Sequence, residues 1–230
     1  MWPLLLTVEA LYILASTVCS LAFRNSPWEG EIARTIARWI TLIAYVPIFL
    51  IHFRKPRRVG ELSSPRTLVL VTLSMATMLL LPVLFQRSNF TGPLQGLWFA
   101  ASFVVGFREE IFYRGIVQQT LVARYGLTRS LLITAVLFTA YHVSYFIFGW
   151  WPSLIEVFLF SLAVGVIYWK TKSIVLVALF HGVYDAVPFL TPWNWLGVPE
   201  SWGLLFLVTG VIFAALLLRK RSLCGILRRR

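Results

Sequence analysis

Three short stretches of this chain place ionisable side chains inside strongly apolar sequence. They hold a Glu-Glu pair with an arginine, a histidine, and a histidine with an aspartate: Glu109, Glu110, Arg114, His142, His181 and Asp185. The whole chain has only nine acidic residues and three histidines, so this concentration needs an explanation. Carboxylates and imidazoles are the usual general bases and acids of enzymes, and both also bind metal ions. The stretches are therefore the candidate site for chemistry.

Helical spacing divides these groups into pairs. Glu110 and Arg114 lie four residues apart, on one face of a helix, with the acid first, which favours an ion pair. Glu109 points about 100° away from Glu110, and we expect it to face a different neighbour. A buried carboxylate without an ion-pair partner suits a general base near neutral pH. His181 and Asp185 are also four residues apart and share a face.

The segments that carry these residues are long and apolar. Of the 230 residues, 59% are hydrophobic and 13% are charged, about half the charged share of a soluble domain. Eight apolar segments approach the length that crosses a bilayer. They cover residues 3–22, 36–53, 67–86, 95–123, 130–148, 153–169, 173–190 and 203–218. The sequence predicts an all-α fold, a polytopic transmembrane helical bundle of about eight spans. Residues 1–230 would form one integral membrane domain.

The fourth segment, 95–123, is interrupted by charges and is either one long tilted helix or two shorter pieces. Three other ionisable residues, Glu9, His52 and Glu156, lie near segment ends or stand alone. We interpret them as structural residues, since single intramembrane polar groups usually bond a neighbouring helix.

The basic residues indicate the orientation. With the N-terminus in the cytoplasm, 15 Lys and Arg residues lie on the inner side and four on the outer side. The positive-inside rule therefore predicts that both termini are cytoplasmic. The net charge of +12 reflects this placement at segment ends, and no polar face is left for nucleic acid.

The three stretches resemble the signatures of a known family. Glu-Glu-x-x-x-Arg at 109–114, Phe-x-x-x-His at 138–142 and His-x-x-x-Asp at 181–185 occur in the order and spacing of those motifs. They are similar to the motifs of the CAAX-protease and bacteriocin-processing family of intramembrane proteases (CPBP, Rce1-like or ABI). The resemblance covers a catalytic core at about residues 95–190. The position of Asp185 is often Asn in the family.

The resemblance implies an intramembrane endopeptidase and gives its residues roles. Glu109 would activate water for attack on a peptide carbonyl, and His142 would help to hold that water. His181 and Asp185 would stabilise the oxyanion that develops. Hydrolysis of a peptide bond needs these two functions, a base for water and a donor for the oxyanion. An ionised Asp185 cannot donate, so it would orient His181 or be protonated.

Glu110 and Arg114 would support the site. The resemblance leaves the role of metal open, because the family has been described both as metalloproteases and as glutamate-dependent proteases. The chain lacks HExxH, and we favour a site without metal or other cofactor. If a divalent metal such as zinc is bound, Glu109, His142 and His181 are the candidate ligands.

The partner implied is a membrane-associated protein or peptide substrate. It could be a prenylated C-terminus, a bacteriocin leader, an anti-sigma-type anchor or a C-terminal sorting signal of the kind that myxosortase-like members remove. The small size is typical of a prokaryotic plasma-membrane protein, which favours sorting or maturation. Two other functions compete: a membrane scaffold or immunity protein without enzymatic activity, and a proton-coupled transporter, in which buried Glu and His are also natural.

Overall fold

The computed structural model describes residues 2–52, 68–76, 92–143 and 152–190. Every element in these ranges is helical, which confirms the predicted all-α class. The elements are α1 (Trp2–Ala22), α2 (Pro27–His52), α3 (Pro93–Glu110), a π-helix (Ile111–Gln118), α4 (Gln119–Tyr125), α5 (Leu127–Tyr141), α6 (Pro152–Thr171) and α7 (Ile174–Leu190). Residues 68–76 are also helical.

The helices fit a membrane protein. Within the described ranges, three helical segments are long and apolar enough to cross a bilayer: Leu5–Ala22, Pro27–Ile51 and Leu154–Thr171. Large apolar side chains on their outer faces are exposed, as a lipid-facing surface requires, and Ile51 on α2 is 74% exposed. The expected total of about eight spans and the cytoplasmic termini stay predictions, and the eighth segment, 203–218, lies outside the described residues.

Helix α2 begins nine residues before the predicted segment 36–53. Hydropathy alone ends that segment at charged residues, but these charges bond one another. The buried Glu31 carboxylate accepts hydrogen bonds from Arg34, Arg38 and Thr35. These bonds satisfy the buried carboxylate, and the helix continues through the charged turn.

The fourth predicted segment is one continuous helical run that changes its winding. The α-helix α3 passes at Ile111 into a π-helix of eight residues, and α4 follows without a break. All eight π-helical residues are buried, enclosed by α2, α5, α6 and α7. The π-helix begins directly after Glu110, and such wide turns often occur at functional sites.

Two glycines bring α3 and α7 unusually close. A Cβ atom added at Gly106 would lie 2.5 Å from the carbonyl oxygen of Ala178, and one at Gly182 would lie 2.7 Å from the Phe103 ring. Small residues at a helix crossing let two backbones approach, the usual device in membrane bundles. Since Glu109 follows Gly106 by about one turn and Asp185 follows Gly182 by about one turn, the crossing brings the motifs of the two helices together.

Candidate active site

The site lies where α3 faces α7, and His181 is at its centre. The Nδ1 atom of His181 is 2.9 Å from Glu110 Oε1. The Nε2 atom is 3.4 Å from Asp185 Oδ2 and 4.0 Å from Glu109 Oε2. Carboxylates from two helices therefore face both nitrogens of one buried imidazole.

The Glu110–Arg114 ion pair expected from the spacing is present. Arg114 donates from Nε to Glu110 Oε2 over 2.9 Å and from Nη1 to Ser161 Oγ over 3.0 Å. Both charged side chains are buried. Glu110 thus uses one oxygen for Arg114 and the other for His181, so the pair ties the π-helix to α6 and α7. The contributions of Ser161 and of the Glu110–His181 bond could not be read from the sequence.

Glu109 is buried, with 2% of its surface exposed. We expected it to face a different neighbour from Glu110, and this is wrong: both carboxylates approach the ring of His181. They can do so because each faces a different ring nitrogen. Among the described residues, Glu109 Oε2 has no hydrogen-bond partner. Such an oxygen can accept a hydrogen bond from a water molecule or a substrate.

Asp185 differs from the other acids in its exposure. Its side chain is 34% exposed, whereas that of Glu109 is 3% exposed. The cluster therefore opens to its surroundings on the Asp185 side. The proximity of Asp185 Oδ2 to Nε2 agrees with the predicted orienting contact on His181.

His142 lies at the C-terminal end of α5, beside the cluster. Its Nδ1 atom is 2.9 Å from the carbonyl oxygen of Phe138, an acceptor, so Nδ1 carries the proton. The Phe138 ring lies 4.8 Å from the His142 ring and 6.0 Å from the His181 ring, measured between centroids. His142 therefore adjoins the cluster across Phe138, with Nε2 as its unprotonated nitrogen when the ring is neutral.

A second buried network, not predicted from the sequence, lies directly against Glu109. Arg108 is fully buried and forms an ion pair with Glu9 of α1. Tyr45 donates a hydrogen bond of 2.6 Å to Glu9. Glu9 is therefore structural, as interpreted, but it does not stand alone. The sequence could have indicated this ion pair, because an arginine within an apolar segment needs a counterion. Glu9 is the one acid in the first segment.

The other two residues interpreted as structural are placed differently. Glu156 on α6 accepts a hydrogen bond from Tyr184 on α7, which agrees with that interpretation. The side chain of His52 lies outside the described residues.

The candidate metal ligands can be compared with the arrangement of side chains in the described ranges. They contain no group of three or more His, Cys, Asp or Glu side chains arranged to hold a metal ion. In His181, Nδ1 is directed to Glu110, which leaves one nitrogen for any other role. The reaction proposed below uses the side chains alone, and the metal alternative stays open to a test with chelators.

Comparison with known protein families gives a match to the segment that contains the site. A family model described as type II CAAX prenyl endopeptidase Rce1-like matches residues 91–187. No curated protein and no solved structure matches the chain. The matched residues contain α3, the π-helix, α4, α5, α6 and α7 as far as residue 187, with all three motifs. The match covers residues 91–187 of the 230, and it supports the CAAX-protease family that the three motifs predicted.

Proposed function

We propose that this protein is an intramembrane endopeptidase that hydrolyses a peptide bond in a membrane-associated precursor or C-terminal sorting signal. The observation that carries the proposal is the unsatisfied Oε2 of Glu109, 4.0 Å from Nε2 of His181. This separation is too long for a hydrogen bond, and in the proposed reaction one water molecule bridges the two atoms, about 2.8 Å from each.

The first step is the attack of water. Glu109 removes a proton from the water, whose oxygen bonds to the peptide carbonyl carbon. The carbonyl electrons move onto oxygen and form the oxyanion. The protonated Glu109 then gives its proton to the leaving amine as the C–N bond breaks. The same carboxylate therefore serves first as the base and then as the acid, so hydrolysis by a directly activated water needs no second acid.

His181 is the proposed oxyanion donor. Glu110 at Nδ1 is an acceptor, so Nδ1 carries a proton. As an imidazolium, between the carboxylates of Glu110 and Asp185, the ring also donates from Nε2. Donors fixed before the reaction stabilise the charge as it develops, and burial strengthens their effect. Before the reaction this Nε2–H faces Asp185 Oδ2 at 3.4 Å, which orients the ring, and as charge develops the same N–H donates to the oxyanion instead. His142 adds a contact to the water or substrate beside Phe138.

The apolar surroundings indicate the kind of substrate. The site lies inside a helical bundle with a lipid-facing exterior, so its peptide must enter from the bilayer or its surface. A membrane-anchored precursor fits this requirement. We propose a maturation or sorting substrate, with a prenylated C-terminus as the alternative outcome of the test.

The test compares the membrane proteins of cells that express the wild-type chain or its Glu109→Gln variant. The variant keeps the shape of the side chain but removes the base. We expect one precursor to accumulate uncleaved with the variant, and mapping of its new terminus in the wild type identifies the peptide bond. Identical terminal peptides in the two samples, with both proteins folded and expressed, would contradict the proposal.

A further inference from the structure

Arg108 precedes the Glu109–Glu110 pair and lies outside the three motifs, yet it is fully enclosed by the N-terminal helices. Nη2 bonds Glu9 of α1, and Nε donates to Thr41 Oγ1 of α2 over 3.3 Å. The guanidinium carbon lies 3.7 Å from the centre of the Tyr12 ring, within cation–π range. Two helices outside the matched residues 91–187 therefore fix this arginine in place.

Glu9 is held as firmly as Arg108. It accepts hydrogen bonds from Tyr45 at 2.6 Å and from Tyr113 at 3.3 Å in addition to the ion pair. Its carboxylate offsets the arginine charge, and three donors keep it on one side of the guanidinium. This network is more extensive than a single ion pair across two spans requires.

One nitrogen of Arg108, Nη1, does not take part in the bonds to Glu9 and Thr41. Among the described residues, Nη1 has no hydrogen-bond partner, although it is buried. It lies 4.0 Å from Oε1 of Glu109, the carboxylate that the proposed reaction uses as base. The other oxygen of Glu109 faces His181. Arg108 Nη1 thus faces one oxygen of the Glu109 carboxylate, and the unsatisfied Oε2 of the same carboxylate faces His181.

We infer that Arg108 is a positioning residue for Glu109. Its Nη1 holds Oε1, either after a small approach or through one water, and so keeps Oε2 directed to His181 and the attacking water. The ion pair with Glu9 holds the guanidinium group in this position. The inference rests on the proposed hydrolysis, and it makes α1 and α2 part of the active site in addition to their role in the membrane.

A buried ion pair is weak evidence of stability, because apolar residues of similar size often serve as well. The position next to Glu109 gives Arg108 a role that apolar residues could not fill. If the role is positioning, loss of the charge lowers kcat and leaves KM nearly unchanged, since the interaction matters only when Glu109 acts. A merely structural role predicts lower stability without that selective effect.

The experiment uses the full chain in lipid nanodiscs and a fluorogenic peptide that spans the cleavage site mapped as described above. Arg108→Gln removes the charge, and Arg108→Lys keeps it. Glu9→Gln combined with Arg108→Gln removes both charges of the Arg108–Glu9 ion pair, and thermal denaturation checks that this variant is folded. Arg34→Gln is the control, because that guanidinium bonds Glu31 on α2.

We expect Arg108→Gln and the double variant to lose at least about tenfold in kcat, as for one charge-assisted hydrogen bond. KM should change by less than about twofold, and Arg108→Lys and Arg34→Gln should stay within about threefold of wild type. A folded double variant with wild-type kcat would overturn the inference, as would equal losses for Lys and Gln. Failure of the wild type to cleave any peptide would refute the proposed function itself, and the inference with it.

Discussion

The glycine crossing of α3 and α7 gives the most direct structural prediction. In Gly106→Ala the new Cβ atom would lie 2.5 Å from Ala178 O and 2.8 Å from Gly182 N, both backbone atoms of α7. Backbone atoms cannot turn aside as a side chain can. Ordinary contact needs about 3.5 Å, so the two helices must separate by roughly 1 Å at this point.

The separation acts on the site one turn away. The distance of 2.9 Å from Glu110 Oε1 to His181 Nδ1 would grow to about 3.9 Å, beyond hydrogen-bond range. The distance from Glu109 to His181 would grow by a similar amount. Misplacement by about 1 Å can lower a rate about 100-fold, while overpacking destabilises a fold by about 1–3 kcal/mol. We therefore expect a folded protein with about one hundredth of the wild-type activity.

The assay is hydrolysis of the mapped peptide by purified protein in nanodiscs, with thermal denaturation as the check on folding. Gly92→Ala is the matched control. Gly92 precedes the same helix, its φ of −179° is extended backbone that any residue adopts, and a Cβ atom there would lie 3.4 Å from Gln95. Activity of Gly106→Ala within about twofold of Gly92→Ala would refute the reasoning that close helix packing sets the site geometry.

Three further predictions test other parts of the site. Glu110→Gln leaves the Arg114 guanidinium buried without its carboxylate, so the unfolding free energy should fall by about 3 kcal/mol; an unchanged denaturation temperature would contradict the ion pair. Chelators such as EDTA or phenanthroline should leave the hydrolysis rate unchanged, and a loss that zinc restores would show a metal enzyme. Burial lowers the pKa of Lys172, in the connection between α6 and α7, to about 8. At pH 8 about half of its amine is neutral, so an acetylating reagent should modify Lys172 faster than ordinary lysines, whose pKa is near 10.4; equal labelling would refute the lowered pKa.

Hydropathy predicted those helices whose apolar runs are clean. The first, sixth and seventh predicted segments end within two residues of α1, α6 and α7. Charged residues such as Arg24 and Lys172 mark the ends of these apolar segments clearly. Hydropathy failed at the start of α2, because it does not show that Arg34 and Arg38 both bond Glu31 and so allow the helix to continue through these charges.

The winding of residues 111–118 could not be predicted. These residues are apolar enough for any buried helix, and nothing in their pattern distinguishes a π-helix from an α-helix, although they pack against four neighbouring helices. Its effect is local, since Glu110 and Arg114 still form the pair that α-helical spacing predicts.

Within the site, contacts along one helix could be predicted and contacts between helices could not. The proximity of His181 to Asp185 follows from spacing alone. The bond from His181 to Glu110 and the pair of Arg108 with Glu9 depend on which helices are neighbours. Because a buried charge is costly, the sequence indicates that these groups need partners, but it does not identify the partners.

Glu109 is the residue that, in the proposed reaction, activates water for peptide hydrolysis. The most direct measurement is single-turnover cleavage of the mapped peptide by the purified wild-type protein and by Glu109→Gln, both in nanodiscs and both shown to be folded. We expect the wild type to release the two peptide fragments and the variant to lose at least about 1,000-fold in rate, the loss of its general base. Cleavage by Glu109→Gln at a rate close to that of the wild type would contradict the account.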